Sequence, residues 1–202
     1  MPRRSWKIWS LVALLFVGAT LSFLQSTQQT VQPSIPVVMV SQPAPTKQVA
    51  VPVPQSYGLP VQLQISHLKI DAKVSYMGKT EAGAMDTPTN VSDVGWYKYG
   101  ALPGNIGTAV LAGHLDGLQG EPGVFSQLKL LQPGDIVSVR DNTGKSVNFQ
   151  VRVTKSYGQD EQPAEVFSSS EGAHLNLITC TGAWDKTARQ FAQRLVVFTD
   201  RI

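Results

Sequence analysis

The sequence predicts an all-β domain: a closed eight-stranded β-barrel with one or two short helices, preceded by an N-terminal transmembrane helix and a proline-rich linker. Three observations lead there. From residue 61 onward the chain is a succession of short alternating or apolar runs separated by turn residues. Within that stretch only Val124 to Leu131 reads as helical, and it is brief. Before residue 61 stand an uncharged apolar run and, between Gln25 and Pro60, 7 of the 13 prolines. About eight short strands leave sheet edges open unless the sheet closes on itself, which favours a barrel.

The chain opens with its membrane element. Residues 8 to 24, IWSLVALLFVGATLSFL, are seventeen uncharged, mostly apolar positions directly after Arg3, Arg4 and Lys7. At about 1.5 Å per residue, such a helix is at the short end of what crosses a ~30 Å hydrocarbon layer. The positive cluster stays in the cytoplasm, so residues 1–24 are expected to be a cytoplasmic tip and signal-anchor. The protein is then single-pass in the cell membrane, with its folded domain extracytoplasmic. Val17-Gly18-Ala19 offers the small residues of a signal-peptidase site, the alternative in which the leader is removed. The apolar run continuing through Leu21, Phe23 and Leu24 favours the anchor.

Residues 25–60 follow as a linker. They contain seven prolines, many Gln, Ser and Val, and one charge, Lys47. Such a segment cannot bury a core, and proline favours extended conformations at ~3 Å per residue, a reach on the order of 100 Å. It reads as a spacer or as a plain unstructured tail.

The domain, residues 61–202, is then read strand by strand. Val61 to Ile65 alternates, and Ile70 to Tyr76 follows across a short break. Gly107 to Gly113 is a continuous apolar run. Asp135 to Arg140 and Ser146 to Val153 flank Asn142-Thr143-Gly144, a hairpin signal. Leu175 to Cys180 and Arg194 to Thr199 complete the set.

Charge and cysteine content exclude several functions. The formal net charge is +3, but Arg3, Arg4, Lys7 and Lys47 all precede residue 61 and every acid follows it. From residue 61 there are 13 basic and 14 acidic side chains, a balance of −1, so the domain has no positive field to concentrate nucleic acid. A single cysteine excludes an internal disulfide and a zinc site built on cysteines. Cys180 is therefore inert, reactive or intermolecular.

An unpaired thiol in an exported domain is a liability unless buried or used. Cys180 ends a strand, before the loop-like Thr181-Gly182-Ala183-Trp184-Asp185, which places it near a barrel rim. His114 also follows an apolar strand and a glycine, and two rim positions can be neighbours in space. Arg194 opens the last strand fourteen residues after Cys180, a spacing that lets a loop return the chain alongside it. Imidazolium stabilises a thiolate and protonates a leaving amine, while a guanidinium holds a developing oxyanion. Each residue alone has a structural reading: a buried cysteine, a hydrogen-bonded strand-end histidine, an arginine on a sheet edge. Asp116, two residues after His114, either orients the imidazole or forms a turn. Trp96, Trp184 and Phe125 read as packing residues, with Trp184 placed to flank a groove. His174 reads as a solvated position on the cysteine strand, away from the thiol.

Ala112-Gly113-His114, then Leu177-Ile178-Thr179-Cys180, then Arg194-Leu195-Val196-Val197 resemble the histidine, cysteine and arginine signatures of the sortases, the cysteine transpeptidases that join secreted proteins to bacterial envelopes. Gly95-Trp96-Tyr97, Pro103 to Gly107, Gly123-Val124-Phe125 and Pro133-Gly134-Asp135 add to the likeness, which covers residues 61 to 202 and is most similar to class F, with class E or D the alternatives. The resemblance implies a sortase-type barrel with His114, Cys180 and Arg194 catalytic and Thr179, Trp184 and Asp116 near the substrate. No acidic cluster matches the calcium site of class A members, so no metal or other cofactor is carried over from the family. Implied substrates are proteins with an LPxTG-like sorting signal. The acceptor would be an amine from a peptidoglycan precursor or a pilin. The cysteine motif departs from the family pattern, with Asn176-Leu177 where Thr-Leu is usual, and Arg189 is a second arginine before the same strand. Two other readings are an L,D-transpeptidase, whose cysteine context differs, and an exported non-catalytic β-barrel that binds the wall.

Overall fold

The computed structural model describes residues 56–169 and 171–202. The expected membrane helix, and the linker through residue 55, lie outside the described residues. Among the described residues no helix is long and apolar enough to cross a membrane.

Eight strands form: β1 (Pro60–Ile65), β2 (Ile70–Met77), β3 (Val94–Tyr97), β4 (Gly107–Gly113), β5 (Ile136–Asp141), β6 (Ser146–Gly158), β7 (Ala173–Asp185) and β8 (Gln190–Arg201). They close into a barrel in the order β1-β2-β3-β4-β7-β8-β6-β5. The pairs β2/β3 and β4/β7 are parallel and the others antiparallel. Parallel neighbours need long returns, and these are the connection over residues 78–93 and the excursion through β5 and β6.

Side-chain alternation decides what fills the barrel. Leu63, Val74, Trp96, Leu111, Val139, Phe149, Leu177 and Val197, one from each strand, belong to the same buried cluster. Each large apolar side chain so placed contributes about 1.5–3 kcal/mol relative to exposure. β4 does not alternate because it is buried on both faces: Val110 is as inaccessible as Leu111. On the outside of the barrel, Val166 from the β6–β7 connection covers Val196 and Phe198, with Ile178 packed beside them. Asn176 Nδ2 donates to Val166 O at 2.8 Å and fixes that cover.

Four details differ from the sequence reading. β3 is a strand although it has only four residues and contains Gly95; its pairing with β2 and β4 supplies what its local sequence lacks. The helix expected over Val124 to Leu131 shrinks to a 3-10 turn at Leu128–Leu130. The backbone donors of Ser126, Leu128, Leu130 and Leu131 each reach the carbonyl three residues back instead of four, so the segment closes as tight turns and not as an α-helix. Two further 3-10 turns, Ser66–Leu68 and Ala164–Val166, had no sequence signal. Finally, the last residues of the expected linker belong to the folded body. Tyr57 is buried in the core, Gly58 N donates to Asp141 Oδ2 at 2.7 Å, and Pro60 begins β1.

Candidate active site

Strand parity sets the site. In β7, Leu175 and Leu177 face the interior, so Ile178 and Cys180 fall on opposite sides from Leu177 and lie outside. In β8, Leu195 and Val197 face inward, which puts Arg194 and Val196 outside. In β4, Ala109 and Leu111 face inward, so Ala112 and the position of His114 continue the outer row.

Register pairs two of the three directly and leaves the third on the neighbouring strand path. Cys180 is paired directly with Arg194 across the antiparallel β7/β8 ladder. Opposite residues in such a ladder hold their Cβ atoms about 4.5–5.5 Å apart. On the other side, the parallel β4/β7 ladder runs to Ala112 opposite Ile178. His114 and Cys180 each lie two residues beyond that pair, one on each strand path. The outer cover supplied by Val166 lies over Ile178 and Val196, themselves a cross-strand pair, and Cys180 and Arg194 are the next pair on that face.

Cys180 is half-buried, and among the described residues its thiol has no hydrogen-bond partner. Burial pushes the thiol pKa up, the Arg194 guanidinium pulls it back down, and the Asp116 carboxylate pushes it up again. The protonated thiol is therefore the resting form at neutral pH. Arg194 is braced by its own hairpin: Nη1 donates to Phe191 O at 3.0 Å and to Gln193 O at 3.1 Å. Guanidinium carries five donors in a fixed fork, so the Nε and Nη2 donors stay available to an oxyanion. The His114 ring stands with Nε2 2.7 Å from Pro88 O.

The stretch after Cys180, expected to be a loop, is strand. β7 runs on to Asp185 and forms a hairpin with β8, with a bulge between Thr181 and Trp184. Asp185 Oδ1 accepts from Thr187 N and Ala188 N and closes the turn. The sequence missed this because Gly182 and polar residues mimic loop composition, whereas pairing with β8 supplies the ladder. Cys180 thus sits within a 13-residue strand on the outer wall, not at its end. Arg189, at φ 52, occupies the hairpin turn and does not face Cys180.

The other expected residues separate. Trp184 is 51% exposed, with its ring edge-on to Phe191 at 5.1 Å, on the hairpin beyond the thiol. Asp116 is exposed at the base of a turn, bridged to Pro122 through the backbone. Its carboxylate does not bond the His114 ring, whose Nε2 partner is Pro88. Thr179 shares the inward parity of Leu177 and is 3% exposed, so its side chain lies on the opposite face from Cys180, and its buried Oγ1 has no partner. His174 is not a solvated position: Nδ1 stands 2.8 Å from Asp200 Oδ1 and Nε2 2.6 Å from Glu171 O. Among the described residues no group of three His, Cys, Asp or Glu is gathered as metal ligands would be.

A closed barrel that displays one thiol beside an arginine, with a histidine on the adjoining strand path, has the layout of a cysteine-dependent acyltransferase. A family model for the sortase domain matches residues 63–202, and the chain belongs to the sortase family. Sortases are cysteine transpeptidases. Among solved structures, sortase A from Corynebacterium diphtheriae, as a lid mutant, is 17% identical with a TM-score of 0.56, over 73% of this chain and 72% of that one. Sortase C-1 from Actinomyces oris is 22% identical with a TM-score of 0.54, over 70% and 72%. A Clostridium perfringens sortase D5 transpeptidase is 17% identical with a TM-score of 0.54, over 72% and 79%. These likenesses are of fold, and they span three sortase classes. No curated protein matches the chain.

Proposed function

We propose that this protein is a membrane-anchored transpeptidase that cleaves an LPxTG-like sorting signal between Thr and Gly and transfers the acyl group to an amine of the cell envelope. The observation that carries the reading is the direct cross-strand pairing of Cys180 with Arg194, at the point where the outer cover of the barrel gives way. The matching family model supports the reaction class. The apolar run of residues 8 to 24 supports the anchor. Class F is the closest of the sortase classes by its signatures, with E or D the alternatives.

The Cys180 thiolate attacks the threonine carbonyl, and Arg194 stabilises the oxyanion through its unused donors. Protonated His114 gives its proton to the departing glycine amine, the C–N bond breaks, and a thioester remains on Cys180. An acceptor amine then attacks the thioester, the proton it sheds returns to His114, and the C–S bond breaks to release thiolate and a new amide. Because the resting thiol is protonated, the thiolate–imidazolium pair is a minority state, and kcat/KM follows a bell-shaped pH profile.

The test is incubation of the protein with LPxTG and LAxTG peptides, with and without amine acceptors, followed by mass spectrometry. A mass increase on Cys180 and an amine-dependent product are expected. A thiol that neither acylates nor reacts with a methanethiosulfonate reagent in the folded protein defeats the reading in favour of a non-catalytic wall-binding barrel.

A further inference from the structure

We infer that the backbone carbonyl of Pro88 is a positioning group that fixes His114 in the tautomer with its proton on Nε2, leaving Nδ1 as the nitrogen that exchanges protons. His114 Nε2 stands 2.7 Å from Pro88 O. A peptide carbonyl only accepts, so the ring nitrogen facing it carries a hydrogen whether the imidazole is neutral or charged. Nδ1 has no hydrogen-bond partner among the described residues. It is the nitrogen whose proton count changes.

The carbonyl is held in place by the segment that carries it. Pro88 is the only buried residue in the connection between β2 and β3, residues 78–93. Its ring lies on the α-carbon of Gly95 in β3: a Cβ there would fall 3.0 Å from Pro88 Cδ and 3.2 Å from Cγ. Proline fixes φ and has no N–H to compete for. From the other side, Val124 N donates to Val91 O and Phe125 N to His114 O, each at 2.9 Å. A Cβ on Gly123 would fall 2.3 Å from His114 O, so only glycine permits that approach. The β2–β3 connection and the loop after His114 thereby grip the histidine by ring and backbone together. His67 differs: it turns Nδ1 toward the carboxylate of Asp135 at 2.8 Å, and a carboxylate also only accepts, so that ring carries hydrogen on Nδ1. His174 has an acceptor at each nitrogen, Asp200 Oδ1 at 2.8 Å from Nδ1 and Glu171 O at 2.6 Å from Nε2, and offers no contrast.

The tautomer stands on geometry alone; its use in protonating the leaving amine rests on the acyl-transfer reading above. The experiment separates the two. In the full chain labelled with nitrogen-15 histidine, long-range proton–nitrogen spectra at a pH where the rings are neutral read each tautomer, and His114→Gln assigns its signals. His114 is expected to carry hydrogen on Nε2 and His67 on Nδ1. Replacing the amide of Thr89 by an ester, with the α-hydroxy analogue of threonine, leaves the Pro88 carbonyl in place as a weaker acceptor. The His114 Nδ1–H form should then become populated, with kcat lower by roughly 2- to 10-fold, the worth of one hydrogen bond, and KM unchanged. Native His114 protonated on Nδ1, or an ester variant in which either the tautomer or kcat stays as in the native chain, overturns the proposal. A native chain that turns over no peptide strikes the acyl-transfer reading instead, while the same spectra still decide the tautomer.

Discussion

Asp141 and Cys180 are polar side chains set into the wall of the same barrel, and they are treated in opposite ways. Asp141 is 5% exposed, yet its carboxylate is saturated: Oδ2 accepts from Gly58 N, and Oδ1 accepts from Thr143 N, Thr143 Oγ1 and Lys145 N, all between 2.7 and 2.9 Å. Those bonds close the β5–β6 turn, where Gly144 takes φ 85, and tie the entry of the chain to it. Among the described residues the half-buried Cys180 has no hydrogen-bond partner, nor has the Thr179 hydroxyl on the opposite face of the same strand. A buried polar group left unsatisfied costs stability, and one fully bonded is inert. One region is built to hold and the other, on the function proposed above, to react, so removing each group should fail in a different assay.

The largest effect is expected at the thiol. Cys180→Ala removes acyl-enzyme formation entirely and leaves Tm near that of the native protein, since no hydrogen bond is lost. Intact-mass spectrometry and thermal melts check both halves, and an acylated Cys180→Ala protein would end the assignment. Arg194→Ala is next, with kcat/KM lower by about 10²–10³-fold if its free donors stabilise an oxyanion. Arg189→Ala, in the hairpin turn, should keep nearly native turnover; the reverse pattern would transfer the role to Arg189.

At the other pole, Asp141→Ala should lower Tm by several degrees while kcat per folded molecule is kept. Burial alone would raise the Asp141 pKa, but the bonds from Gly58, Thr143 and Lys145 outweigh it and pull it from 3.8 to about 2. The folded pKa is below the ordinary one, so the contribution to stability is complete above the ordinary value and is lost as pH falls through about 2. The gap in Tm between the native protein and Asp141→Asn should thus be constant above about pH 4 and narrow below it. A gap that does not vary with pH would mean that the charge of Asp141 is not what the hairpin uses.

The same contrast explains what could be read from sequence. The β5–β6 hairpin was legible because its signals are local: alternation on both sides of Asn142-Thr143-Gly144. Seven of the eight strands share that property, as does the apolar run of β4. β3 was not legible, because a four-residue strand containing Gly95 is made by its neighbours. The site was legible as residue types, and partly as spacing, since fourteen residues suffice for a hairpin return from Cys180 to Arg194. Its place on the outer wall was not, because parity holds only once strand length is known, and β7 runs five residues past Cys180. The link between His114 and Pro88 left no trace at all: a backbone carbonyl has no residue type, and only the folded path of residues 78–93 brings it to the ring.

The smallest effect sharpens the comparison most, because it asks whether the face that displays the thiol is electrostatically tuned as the Asp141 hub is. Burial raises the Cys180 pKa, Arg194 lowers it and Asp116 raises it. Asp116→Asn keeps the shape of the side chain and deletes its charge, so the midpoint of Cys180 alkylation against pH should move down. Arg194→Gln should move it up. Asp116 is exposed and water screens it, so its displacement is the lesser one. Iodoacetamide alkylation rates across a pH series, at low and high salt, measure both. Opposite signs, with the Asp116 effect fading in salt, identify charge as the cause. A rearranged loop would instead alter the burial of the thiol, and with it the alkylation rate at every pH, without regard to salt.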